Sequence, residues 1–210
     1  MTHARAERAA LGDLFAQLGP DAPTLCEGWT TFDLAAHLVL RESRPDAVGG
    51  IALKPLAGYT ASVQESLKAK YGYPGLVELV RSGPRGLYGL IPGLDEAVNA
   101  MEFFVHHEDV RRAQPGWEPR ELPADLEKIF WRRLRRGGRL LLRRSPVGVL
   151  LHRTGDGVAL GGPRGGPRVE VAGPAGELLL FCFGRQRHAE VDVTGRDAAV
   201  ARLMDAPLGV

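Results

Sequence analysis

Two histidines and a glutamate carry the most legible chemistry in this 210-residue chain. Glu102 and His106 stand four residues apart in Glu102-Phe103-Phe104-Val105-His106, a spacing that places both on one helical face. A carboxylate and an imidazole held this way can converge on one ion, and a helix supplies the fixed geometry a metal site needs. The same spacing also suits an ordinary surface ion pair. His37 sits inside the apolar run Leu34-Ala35-Ala36-His37-Leu38-Val39-Leu40, so it faces an interior, either as a satisfied core histidine or as a third ligand. Two histidines and one carboxylate from two helices leave positions on a divalent ion for water or substrate, the arrangement of a catalytic site rather than a closed structural one. His107 points about 100° away from His106 by helical geometry, to a supporting or exposed position.

The elements that must position these residues are helical over the first 145 positions. Leu11, Leu14, Phe15 and Leu18 share a face over 4–18, which Gly19-Pro20 ends. After a turn over 23–28, Thr30 and Asp33 form a capping-box-like pair in front of the His37 helix. Residues 46–58 read as loop, 59–70 as a helix and 74–81 as another opened by Pro74. A long helix follows Pro92-Gly93 and runs over 94–113. The segment 125–136 is a further helix, broken or kinked by Gly137-Gly138. The texture changes at Ser145-Pro146. Strands are expected over 147–154, 158–160, 168–172 and 190–194, with a turn at Gly155-Asp156-Gly157 and a Gly/Pro connection over 161–167. Helices are expected over 174–184 and 197–204. The boundary is placed near 145, a helical domain over 1–145 preceding a small α+β module over 146–210.

Three blocks carry a family resemblance. Leu25-Cys26-Glu27-Gly28-Trp29-Thr30, followed by Asp33-Leu34-Ala35-Ala36-His37-Leu38, resembles the N-terminal signature of the mycothiol-dependent maleylpyruvate isomerase-like family of the DinB superfamily. The segment 99–112, with Glu102-x-x-x-His106, resembles that family's second metal helix, in wording closest to an uncharacterised metal-binding branch. The segment 169–180 with Gly184-Arg185 is similar to the family's C-terminal domain. The resemblance implies a mainly α chain, a DinB-like four-helix bundle followed by a small α+β C-terminal domain. It also implies a divalent metal, zinc first and nickel second, on His37, Glu102 and His106, and a low-molecular-weight thiol such as mycothiol. A thiol held on a dication is deprotonated and becomes a nucleophile, which suits transferase or isomerase chemistry on a small electrophile. Arg185 is the candidate for binding a carboxylate of thiol or substrate; its alternative is a helix-end arginine answering the dipole. Two other readings stay open: a metal-binding stress or accessory protein without catalysis, and a hydrolase whose ion activates water.

Composition narrows the class without selecting a function. The chain holds 27 Lys and Arg against 25 Asp and Glu, a net charge of +2, and 23 of the cations are arginines, which fits GC-rich coding. Arg132, Arg133, Arg135, Arg136, Arg139, Arg143 and Arg144 could clamp a polyanion, but Leu134 and Leu140 to Leu142 interleave with them as beside a solvated helix face. No aromatic residues alternate with them for base stacking. The Gly161-Gly162-Pro163-Arg164-Gly165-Gly166 loop lacks the ending of a phosphate cradle. The expected partners are therefore the thiol and a small-molecule electrophile, with neither nucleic acid nor membrane, in a monomer or homodimer. The first residues show no apolar signal region, and Cys26 and Cys182 match no disulfide or zinc framework. A cytoplasmic address is expected, with Cys26 as a small packing residue, Trp29 as the anchor of its turn and Cys182 as core.

Overall fold

The computed structural model describes residues 2–44, 46–47, 54–83, 94–153, 157–163 and 166–209. The expected loop over 46–58, the Pro92-Gly93 start, the turn at 155–157 and the connection over 161–167 lie wholly or partly outside them. The chain is mainly helical, with a small sheet toward its end, and divides into two compact units, Met1–Glu118 and Pro119–Val210.

The first unit contains α1 (His3–Leu18), α2 (Thr31–Ser43), a 3-10 turn (Lys54–Leu56), α3 (Ala57–Ser82) and α4 (Leu94–Arg111). Helix α1 packs on α4 and α3, and α2 packs on α3. The core between them includes Leu11, Phe15, Leu34, Leu38, Leu76, Val80 and Phe103, all essentially removed from solvent. Burial of side chains of this size contributes about 1.5–3 kcal/mol each. The start of α2 follows the sequence expectation: Asp33 Oδ2 accepts the Thr30 N–H at 2.9 Å and the Thr30 hydroxyl at 3.0 Å. The two expected helices over 59–70 and 74–81 form one run with a break at Gly72, whose φ of 59° lies in the left-handed region that glycine enters without a Cβ penalty.

The second unit contains α5 (Ala124–Leu141), β1 (Gly148–Arg153), β2 (Val158–Gly161), β3 (Arg168–Gly173), α6 (Ala175–Cys182), β4 (Asp192–Gly195) and α7 (Asp197–Met204). Among the described residues the sheet runs β2-β1-β3-β4, with β1 antiparallel to β2, parallel to β3, and β3 antiparallel to β4. Two expectations are corrected here. Helix α5 packs on β2 and α6, so the compact units divide at 118/119 rather than near 145, where only the texture of the sequence changes. Its buried stripe of Leu126, Phe130, Trp131 and Leu134 is the cover of the second unit. Nor do Gly137 and Gly138 break α5, which continues to Leu141. Gly138 is buried, and a Cβ there would stand 3.9 Å from Leu151 of β1, so the helix lies close to the strand at that point. No helix among the described residues is long and apolar enough to cross a membrane.

Candidate metal centre

Helices α2 and α4 bring the three expected ligands together. His37 lies in the buried middle of α2, and Glu102 and His106 lie one turn apart on α4. One oxygen, Glu102 Oε1, stands 3.2 Å from His106 Nε2 and 3.7 Å from His37 Nε2. The two imidazole centroids are 5.3 Å apart in an edge-on arrangement, and one donor atom from each of the three residues lies within 4.8 Å of the others. Spacing on α4 and the apolar run of α2 were the signals that found this set.

The surroundings of the three residues come mostly from elsewhere in the chain. Trp29 packs against His37 in a tilted arrangement with centroids 5.0 Å apart. Arg41, one turn beyond His37, places its Nε 3.2 Å from Glu102 Oε1 and donates from its terminal nitrogen to Asn99 Oδ1. Asn99 in turn donates to Glu42, which takes the buried Arg8 guanidinium through both oxygens at 2.7 and 2.5 Å. A chain of polar contacts thus runs from α1 to the candidate ligand, and the buried Arg8 is paired as buried charges must be.

On its other side His106 Nδ1 lies 2.9 Å from Asp109 Oδ2. The Cys26 thiol donates to that same oxygen at 3.3 Å and stands 4.0 Å from His106 Nδ1. Cys26 is therefore more than the packing residue the sequence suggests, and Cys26, His106 and Asp109 form a second group of potential donors. The turn carrying Cys26 is tied to α4 by the Leu25 N–H, which donates to the Asp109 carbonyl at 3.0 Å. Within the turn, Thr24 Oγ1 donates to the Trp29 carbonyl and accepts the Cys26 N–H, and Gly28 takes a φ of 76°. The packing role expected of Trp29 is met as well, since it lies partly buried against the core.

The electrostatics follow from the geometry. Burial pushes the Glu102 carboxyl up, but the His106 and His37 imidazoles and the Arg41 guanidinium outweigh it and hold it well below the ordinary carboxylate range. Burial pushes His106 down, but Asp109, Cys26 and Glu102 outweigh that and hold it well above the usual imidazole value. Burial also lowers His37, and there it prevails over the opposing pull of Glu102. The three neighbours are thus shifted differently: Glu102 down, His106 up and His37 down.

His107 is buried rather than exposed, with Nδ1 2.7 Å from Glu7 Oε2 on α1. Arg185, in the second unit, donates to the Phe183 carbonyl at the end of α6. Cys182 is fully buried, as expected.

The fold belongs to a recognisable class, a mainly helical protein closing with a small mixed sheet. Among solved structures it is similar to the crystal structure of the mycothiol-dependent maleylpyruvate isomerase, with a TM-score of 0.54 and 14% sequence identity over 92% of this chain and 90% of that one. The structure of a histidine-to-alanine mutant of that isomerase aligns over the same shares, with a TM-score of 0.54 and 13% identity. At that identity the likeness is one of fold. No protein-family model and no curated protein matches the chain.

Proposed function

We propose that this chain is a divalent-metal protein of DinB-like four-helix-bundle type that presents a low-molecular-weight thiol, of mycothiol kind, to a small electrophile in a transferase or isomerase reaction. The observation that carries the reading is the convergence of His37 Nε2, Glu102 Oε1 and His106 Nε2 from two helices. The donor set fits a divalent ion of the zinc class, with nickel as the second choice: two imidazoles and one carboxylate leave further positions open. The name of the solved enzyme that shares the fold supports the thiol and the isomerase chemistry.

When bound, such an ion supplies the charge that keeps a coordinated thiol deprotonated near neutral pH. The protein's own residues do the rest. His37 and His106 offer one ring nitrogen each, and Glu102 is kept ionised by its neighbours. Arg41 holds Glu102 through its Nε, 3.2 Å from Oε1, restricting the rotation of the carboxylate. Trp29 packs against His37 at a tilt of 54° and limits the room for its ring. Arg185 is the proposed anion-binding group; its bond to the Phe183 carbonyl supports the competing role of closing a helix end. The partners are a small-molecule electrophile and the thiol, and the address is cytoplasmic.

Metal analysis of the wild type beside His37→Ala and Glu102→Ala variants tests the site. The wild type retains one divalent ion per chain and both variants lose it; undiminished binding in both removes the site. Calorimetry with mycothiol, with and without metal, then tests the thiol. Binding only to the loaded protein supports the reading, and a loaded protein that takes no thiol leaves a hydrolase or a non-catalytic metal protein.

A further inference from the structure

His106 belongs to both groups of potential donors, through a different nitrogen in each. Its Nε2 faces Glu102 and His37, and its Nδ1 faces Asp109 and Cys26. One imidazole cannot hold an ion through Nε2 while Nδ1 carries a proton and also hold one through Nδ1, so the structure must distinguish the sides. Exposure alone does not, because Glu102 keeps 22% of its side-chain surface accessible and Asp109 none, while Cys26 beside Asp109 is half-buried as well; the contacts on each side do. The Asp109 side is tied down from several directions: its carboxylate accepts from Cys26 and lies against His106 Nδ1, and its carbonyl accepts the Leu25 N–H.

We infer that Asp109 is the positioning residue of the metal centre, holding the His106 ring so that Nε2 is the ligand nitrogen, with Cys26 as a second donor to the same carboxylate and not itself a ligand. This rests on the ligand set proposed above. An ionised carboxylate only accepts hydrogen bonds, so the Asp109 oxygen, 2.9 Å from Nδ1, is placed to take the proton that Nδ1 carries when Nε2 is the ligand. The lone pair is then confined to Nε2. A carboxylate behind a metal-binding imidazole fixes tautomer and ring orientation and raises ligand basicity, and losing such a partner typically costs about 10–100-fold in metal affinity. The Cys26 thiol, donating to Oδ2 at 3.3 Å, helps keep that oxygen in line with the ring. The turn from Thr24 to Trp29 thereby joins the support of His106 on one side and of His37 on the other.

The test uses zinc as the probe. Long-range proton–nitrogen NMR of the zinc-loaded wild type should show His106 protonated on Nδ1 and bound through Nε2; binding through Nδ1 overturns the proposal without any variant. Zinc titration of Asp109→Asn should show an affinity lower by about 10–100-fold, with Nε2 still the ligand nitrogen. Cys26→Ala should bind zinc as the wild type does. Native affinity in Asp109→Asn, or a loss in Cys26→Ala as large as in Asp109→Asn, contradicts the assignment, the second outcome making Cys26 a ligand. Cobalt loading gives an independent readout, because a cysteine ligand adds a sulfur-to-cobalt charge-transfer band that this arrangement lacks. Failure of the underlying site is separable: His37→Ala would then keep its zinc, whatever Asp109 does.

Discussion

Replacing Asp33 with alanine probes the cap that sets where the His37 helix begins. The substitution removes two hydrogen bonds accepted from Thr30 and the ion pair with Lys68 at 2.8 Å. Loss of a cap of this kind costs about 1 kcal/mol, and a pair whose side chains are each about one-fifth accessible adds a few tenths to about 1 kcal/mol. Alanine's better helix propensity returns a few tenths. The expected loss is about 1–2 kcal/mol, or about 2–8 °C in Tm for a chain of this size, read by urea unfolding followed by circular dichroism. Asp33→Asn should cost less, because its amide oxygen still accepts from Thr30 while the Lys68 pair is gone. The pH dependence provides a second readout. Burial pushes the Asp33 carboxyl up, but Lys68 and Thr30 outweigh it and hold it below the ordinary value. A carboxyl depressed in the folded state contributes stability above its unfolded value of about 3.9, and the contribution disappears as pH falls through the folded value. The gap between wild type and Asp33→Ala should therefore be full at pH 7 and close below about pH 4. A loss under about 0.3 kcal/mol at pH 7, or a gap that widens in acid, refutes the reasoning.

Other outcomes follow from the same geometry. In the folded protein Cys182, buried and with its thiol pushed up by that burial, should resist a disulfide reagent until the chain unfolds, while the half-buried Cys26 reacts first; equal rates contradict this. Gly162→Ala should destabilise the protein by on the order of 1–3 kcal/mol in denaturant titrations, because its φ is 70° and a Cβ there would meet the Val147 carbonyl oxygen. Phe130→Ala should cost about 3–5 kcal/mol, since this ring is fully buried on α5.

The candidate ligands were more legible in the sequence than the residues that support them. Glu102 and His106 are four apart on one helix, and His37 interrupts an apolar run, so helical geometry alone places each of them inward. Asp109 falls in the same α4 periodicity, three residues after His106, but its contact with a thiol depends on a turn 83 positions earlier in the chain. Nothing local to Cys26 announces that the turn is tied to α4 through the Leu25 N–H. The limits of the units were hidden for a similar reason. Helix α5 reads as a continuation of the helical half, and only its buried stripe, resting on β2 and α6, assigns it to the second unit. Gly137-Gly138 looked like a break because helix propensity is local, whereas the close approach of Gly138 to β1 is tertiary.

The most direct test of the central claim is a crystal of the zinc-loaded protein measured at the metal absorption edge, so that anomalous scattering locates the ion. The account predicts one strong peak bonded to His37 Nε2, Glu102 and His106 Nε2, with Asp109 still on Nδ1. A peak seated instead among Cys26, His106 Nδ1 and Asp109, or no peak near His37, would contradict it.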